Sequence, residues 1–414
     1  MNIFKKKKYQ SSGSLSSLAM RRFKRNNLAM GALLFILFTT FVAILGYLIT
    51  PDSTPFANNQ SLELATKKPG FSVLVLNRRL NKPKTDISLF HKMLYGAPKE
   101  FESIPIVSYK FDRDDIIVEQ YTGMTPNNGA IKKYPLVDIV YALKQNSTIQ
   151  IIEDDDDDSL FFSDITGEKV SLSRNDLRKT VERSYVFEKH FLLGTDPFGR
   201  DLLSQLIIGT RVSLSVGFIA VLISLIIGIT LGAIAGYFGG WVDNLIVWFI
   251  NVVWSIPTLL LVIAITMALG KGYWQVFIAV GLTMWVEVAR VVRGQVLSIR
   301  QKEFVEAGTA LGYSHTRIIF HHILPNVVSP LIVISAANFA AAILIEAGLS
   351  FLGIGVQPPV PSWGIMIKEH YGYIILDYAY LAILPGLAIM FMVLAFMVVG
   401  NALRDALDVK LVDD

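Results

Sequence analysis

The sequence predicts an all-α polytopic membrane protein of six transmembrane helices, with a small extracytoplasmic α+β domain inserted between helices 1 and 2. Three observations carry that prediction. Of 414 residues, 52% are hydrophobic and only 17% are charged, whereas a soluble domain averages about 25% charged residues. Such a chain needs lipid, and a purely cytosolic enzyme is excluded. Second, uncharged apolar runs of the length a bilayer demands, roughly 20 residues, recur along the chain. Third, the stretch between the first two runs has the composition of a soluble domain, with 20 basic and 22 acidic residues between positions 51 and 200.

Taken in order, residues 1–25 form a basic arm. Residues 1–50 hold eight Lys or Arg and no acid. A basic surplus confined to one end orients a membrane protein and does not build a nucleic-acid groove, so no nucleic-acid partner is expected. Helix 1 is placed at residues 26–51, which carry no charge. It is too long for a signal-peptide core and lacks a small-residue cleavage site, so it is read as a retained span. Within a membrane core of residues 194–403, further spans are predicted from Val212 to Val242, Asn244 to Gly270, Gly272 into Glu287, Ile323 to Ile345 and Tyr378 to Leu403. Residues 404–414 are the tail. The arm, the tail and the segment between helices 4 and 5 hold 15 basic residues, while the short loops opposite hold two, Lys271 and Lys368. Both termini are therefore expected in the cytoplasm.

Residues 52–193 are expected outside. Alternating or β-rich runs at Phe71 to Leu76, Ile104 to Phe111, Ile116 to Tyr121 and Thr148 to Ile152 predict strands, and Ser173 to Val186 reads as a helix with Ser173 and Asp176 in capping-box positions. The run Glu153 to Asp158 lacks the glycine and distal Glu of a calcium-binding EF-hand loop and reads as a solvated loop.

Catalytic signals are absent, and the chain is not expected to be an enzyme. There is no G-x-x-x-x-G-K-[ST] loop and no HExxH, and the absence of cysteine removes disulfides, thiolate metal sites and cysteine nucleophiles together. No metal site is predicted; His321 and His322 are placed at the interface of helix 5. A transporter without a nucleotide site must use an ion gradient or borrow an ATPase. Polar residues within spans are few. Glu287 and Arg290, three apart, read as a structural pair, Pro257 breaks the ladder of helix 3, and Asn251 and Asn338 could line a path or bond between helices. Gly228, Gly232, Gly236 and Gly240 form a smooth strip for close packing. Asp196 and Pro197 read as cap and first residue of an amphipathic surface helix.

The most informative segment is the cytoplasmic stretch 296–322. A short helix from Glu303 ends at Gly312, Ser314 can cap a second one, and Pro325 sets the entry of the next span. This describes a helical elbow; the alternative is an ordinary connecting loop. The elbow resembles the EAA loop of bacterial ABC-importer permeases, E-A-A, three residues, G, nine residues, I-x-L-P. Glu306, Ala307, Gly312, Leu324 and Pro325 match, Gly308 replaces the second Ala, and His322 takes the Ile place. Two further segments resemble the dipeptide, oligopeptide and nickel subfamily. One runs from His190 to Asp201, through Gly194, Thr195, Asp196, Gly199 and Arg200. The other runs from Ala347 to Gly364 and includes Ser350, Gly353, Gln357, Pro358 and Trp363. The resemblance covers about residues 15–50 and 190–412 and omits the outer domain, which is longer than the matching loop of the subfamily.

The resemblance implies the type I ABC-importer permease fold and a place in the bacterial inner membrane. The chain would be the permease subunit of an ATP-driven importer of di- or oligopeptides, forming half of the pathway. It implies a second homologous permease subunit, two cytoplasmic ABC ATPase subunits and an extracytoplasmic substrate-binding protein as partners, with ATP and Mg bound by the ATPases and no cofactor by this chain. Glu303, Glu306, Ala307, Gly308, Gly312, Leu324 and Pro325 would couple to the ATPase, and Asn251, Pro257 and Asn338 are candidates for the pathway. A nickel or other small-solute permease is the alternative within the family. A stand-alone channel or ion-coupled transporter is the alternative outside it, without the inverted repeats or several intramembrane carboxylates such proteins usually show.

Overall fold

The computed structural model describes residues 15–83, 85–143, 150–152, 159–270 and 272–407. The start of the basic arm, the acidic run 153–158 and the end of the tail lie outside the described residues. The chain divides into two compact units, one of Met1–Phe41, Thr210–Tyr371 and Ala382–Asp414, the other of Val42–Gly209 and Gly372–Leu381.

Helices build the first unit. Five are long and apolar enough to cross a membrane: Asn27–Ile49, Leu202–Phe238, Tyr273–Arg300, His315–Phe351 and Tyr380–Leu407. Gly240–Trp254 and Thr258–Leu269, bent by 91° at the break between them, make a sixth crossing if the pair counts as one. The continuous third span expected from Asn244 to Gly270 is therefore two half-helices. Pro257, with no N–H to donate, stands at the N-cap of the second. The start moves as well: Asp243, read as a boundary between spans, lies in the first turn of Gly240–Trp254.

Tyr273–Arg300 is the most enclosed of these helices. Gly228, Gly232 and Gly236 of Leu202–Phe238 run along it, and a Cβ on Gly232 or Gly236 would stand 2.8 Å from the Cβ of Val292 or Val296. The strip is thus a packing face. Gly240, its fourth expected member, lies beyond the end of the helix, and a Cβ there would meet open space.

In the second unit the strands are β1 (Phe71–Arg79), β2 (Phe101–Asp112), β3 (Asp115–Gln120), β4 (Ile131–Pro135), β5 (Gln150–Ile152), β6 (Ser159–Ser163), β7 (Lys169–Ser173) and β8 (Val186–Phe191). They form a five-stranded sheet of order β4-β3-β2-β1-β8 and a three-stranded sheet of order β5-β6-β7. All pairings are antiparallel, with Leu76 opposite both Ile104 and Val186. On one side Leu76, Ile106, Ile116 and Val118 pack against Leu136 and Ile139 of the helix Leu136–Val140 and against Leu177 of Arg174–Thr180. On the other, Val73 and Val75 pack with Leu64 and Phe191. β1 is thus an interior strand, paired to β2 and β8 and buried on both sides. Ser173 occupies an N-cap, without the side-chain capping bond that its spacing to Asp176 predicts, and the α-helix Arg174–Thr180 continues as a wider helical turn over Val181–Tyr185 to end at Val186, as expected. Phe71 pairs with Phe191, so the sheet region begins and ends on neighbouring strands, the arrangement that lets a segment be inserted without moving its flanks.

Candidate functional site

The elbow is helical. Glu303–Ala310 exposes Glu303, Glu306 and Ala307 and buries Val305 and Gly308. It closes in a Schellman arrangement: the Gly312 N–H donates to Thr309 O at 3.0 Å and the Tyr313 N–H to Gly308 O at 3.1 Å. Gly312 has φ +77 with open space around it, so backbone conformation and not crowding calls for glycine there. Ser314 Oγ accepts from the Arg317 N–H at 3.4 Å, a wider turn spans Ile318–Ile323, and Leu324–Phe351 starts with Pro325 in its first turn. Behind the exposed face, Val305, Ile318, Ile319 and Ile323 pack with Tyr237, Val292 and Val296. The Tyr237 hydroxyl meets His315 Nδ1 at 2.8 Å, and His322 stacks on Tyr313 with ring centroids 5.7 Å apart. An open groove of about 900 Å³ runs beside the helix, lined by Tyr237, Arg300, Glu306, Thr309 and His315. The short exposed helix is thus backed by close-packed apolar side chains of two long helices, the kind of packing that transmits strain.

The first helix of the bent pair, Gly240–Trp254, is held by two arginines of Tyr273–Arg300. Arg293 is bidentate on Asp243, Nε to Oδ1 at 2.5 Å and Nη2 to Oδ2 at 2.7 Å. Arg290 donates from Nη2 to Asn251 Oδ1 at 3.0 Å and lays its guanidinium 3.4 Å from the centre of the Trp254 ring. The expected Glu287–Arg290 pair is not formed, because Arg290 turns to these partners across the helix interface. Glu287 instead faces a cavity of about 190 Å³ at the break, lined also by Trp254, Thr258, Thr283, Ala341 and Ile345. Of the three pathway candidates, Asn251 bonds between helices and Pro257 makes the break. Asn338 is 2% exposed, and its Nδ2 has no partner among the described residues. The Asp243–Arg293 fork was missed by sequence reading, which used Asp243 only to separate spans.

The segment His190–Asp201 is a clasp. The Thr195 hydroxyl donates to Leu64 O and accepts from the Lys67 N–H at 2.8 Å. Asp196 Oδ1 accepts from the N–H groups of Phe198 and Arg200, both at 2.9 Å, and Oδ2 pairs with Arg200 Nε at 2.5 Å. A Cβ on Gly194 or Gly199 would strike the backbone at Lys67 or Ser61. The surface helix expected from Asp196 is therefore not a separate element. Asp196 is engaged in the turn, and Asp201 provides the cap, its Oδ2 accepting from Ser204 N–H at 2.8 Å, for a helix running unbroken from Leu202 to Phe238. Burial pushes the Asp201 carboxyl above the usual carboxylate range, against the lowering by Ser204.

The segment Ala347–Gly364 is a second clasp. Ser350 Oγ donates to Glu346 Oε1 at 2.7 Å and accepts from Val356 N–H at 3.2 Å, and Gln357 Nε2 donates to Gly355 O at 2.8 Å. Gly353 takes φ +79, and Pro358 joins Pro359 through a cis peptide bond. Ser362 caps the helix Trp363–His370, with Trp363 buried. Both clasps carry structural order and place no reactive group.

Residues 228–413 match the family described as binding-protein-dependent transport system inner membrane component, and residues 14–69 match the N-terminal transmembrane domain of oligopeptide transport permease C. The second match reaches beyond position 50, to the residues that hold the first clasp. The chain is 44% identical over 218 residues to a dipeptide transport system permease protein of Alkalihalophilus pseudofirmus, covering 53% of this chain and 71% of the relative. It is 42% identical over 219 residues to a glutathione transport system permease protein of Pectobacterium atrosepticum, covering 53% and 72%. An oligopeptide transport system permease protein of Bacillus subtilis is 38% identical over 223 residues, covering 54% and 73%. Among solved structures, an inward-facing MetNI methionine ABC transporter matches with 18% identity and a TM-score of 0.42, over 50% of this chain and 98% of that one.

Proposed function

The chain belongs to the binding-protein-dependent transport system inner membrane components, the permease subunits of ABC importers, and from that premise we propose that it forms half of the pathway of an ATP-driven importer of di- or oligopeptides. The carrying observation is the exposed helix Glu303–Ala310, closed by Gly312 and braced on two spans, at the position of the motif that docks onto an ATPase. In this reading the bent pair is one crossing of six in a type I permease fold, and both termini lie in the cytoplasm of a bacterium. Residues 52–193 contain an α+β insertion on the outer face. A second permease and two ATPases, which hold ATP and Mg, complete the complex, and an extracytoplasmic binding protein delivers substrate. Closure of the ATPases pushes the elbow, and the packed spans re-pack to open the path to one side at a time.

The test is purification of the tagged chain with its co-expressed partners, followed by uptake of a labelled dipeptide into proteoliposomes. Uptake should require ATP and the binding protein. ATP-independent uptake by the chain alone would overturn the proposal.

A further inference from the structure

We propose that Glu287 binds the protonated amino group of a peptide in transit. This rests on the reading of the chain as a peptide permease and adds the contact that recognises the substrate within the membrane.

Glu287 lies at the middle of the helix Tyr273–Arg300, about 21 Å along it at a rise of about 1.5 Å per residue, at the end of the uncharged stretch of a helix long and apolar enough to cross a membrane. A carboxylate in such a helix is expensive and persists where it pairs with a cation or serves the passing solute. The two nearest cations on its own helix are engaged elsewhere, Arg290 by Asn251 and Trp254 and Arg293 by Asp243. Among the described residues no ion pair reaches Glu287, and its side chain is exposed to the cavity at the broken crossing.

The cavity suits a primary ammonium. Thr283, one turn before Glu287 on the same helix face, donates its hydroxyl to Val280 O at 2.8 Å, which leaves its oxygen lone pairs to accept from an N–H. Trp254, whose ring carries the Arg290 guanidinium, closes one wall. Thr258 adds a second hydroxyl, and Met284, Ala341 and Ile345 contribute apolar walls. A volume of about 190 Å³ holds about six waters at about 30 Å³ each, room for an amino-terminal residue and not for a whole oligopeptide. A divalent cation would call for further carboxylate or imidazole ligands, and Glu287 is the only such group among the described lining residues.

The test uses the complete complex in proteoliposomes with dialanine and N-acetyl-dialanine, comparing wild type with Glu287→Gln and Glu287→Asp. The binding protein is a separate chain, so its preference cancels in each variant-to-wild-type ratio. Where it does not deliver the acetylated peptide, the same ratio is read from binding of both peptides to the solubilised complex without it. Loss of a charge-assisted contact should weaken dialanine about tenfold or more in KM or Kd for Glu287→Gln, with N-acetyl-dialanine changed less than about twofold and Glu287→Asp recovering most of the loss. Equal factors for the two peptides, or no change for dialanine, would overturn the assignment. A wild-type complex that transports neither peptide would instead refute the peptide reading on which the inference stands.

Discussion

Asn27–Ile49 and Tyr273–Arg300 both qualify as membrane spans by length and composition, yet they treat their apolar side chains in opposite ways. Leu34, Leu37, Phe38 and Phe41 of the first are between 56% and 63% exposed, whereas Val276, Phe277, Val280, Val288, Val292 and Val296 of the second are fully buried. Only 11% of the most apolar window is buried in the first, against 67% in the second. The enclosed helix is also the one that carries Glu287, Arg290 and Arg293. Lipid tails are as apolar as leucine, so apolar side chains gain little by leaving lipid; charged ones need protein partners. In this protein polarity, and not hydrophobicity, marks the helix at the centre of the unit.

Three substitutions would break or sharpen that contrast. The largest effect is expected from Gly232→Leu, whose Cβ would stand 2.6 Å from the Ala289 carbonyl oxygen and 2.8 Å from the Val292 Cβ. Because one neighbour is backbone, the two helices must separate, at a cost of about 3 kcal/mol or more. Detergent-solubilised protein should lose its folded peak in fluorescence size-exclusion after mild heating. Next comes Asp243→Ala, which leaves the partly buried Arg293 guanidinium without its fork and should cost about 1–3 kcal/mol, read as a lowered Tm. Leu37→Ala, on the exposed face, should stay within about 0.5 kcal/mol. A Leu37→Ala loss equal to that of Asp243→Ala would show that the first helix packs as tightly as the fourth.

Apolar runs located the helices that are long and apolar enough to cross a membrane among the described residues but misplaced several ends, and single residues explain why. Asp243 looked like a boundary because a lone charge interrupts two apolar runs; its partner Arg293 is 50 positions away. Asp196 followed by proline has the form of a helix start, yet its carboxylate is used within a turn, and Asp201 takes the capping role. In the sheet region, alternation placed β1, β2 and β3 to within a few residues. By contrast, β4 reads Ile-Lys-Lys-Tyr-Pro with no clear alternation, and β8 is fixed by β1, whose Phe71 lies 120 positions before Phe191 in sequence. The elbow was legible because its signals are local: a glycine where φ must be positive, a serine at a cap and a proline in a first turn. The state of Glu287 was not legible. Its spacing to Arg290 has the form of an ion pair, and the groups that draw Arg290 away, Asn251 and Trp254, belong to another helix.

The elbow as the contact with a cytoplasmic ATPase is tested most directly by site-specific crosslinking, because the chain holds no cysteine of its own. In the assembled complex, Glu306→Cys carrying a photoactivatable thiol-linked crosslinker should give an adduct with the ATPase subunit, and formation of that adduct should stop ATP-driven uptake. An intact complex with bound ATPase that yields no adduct from position 306, or uptake that continues after the adduct has formed, would contradict it.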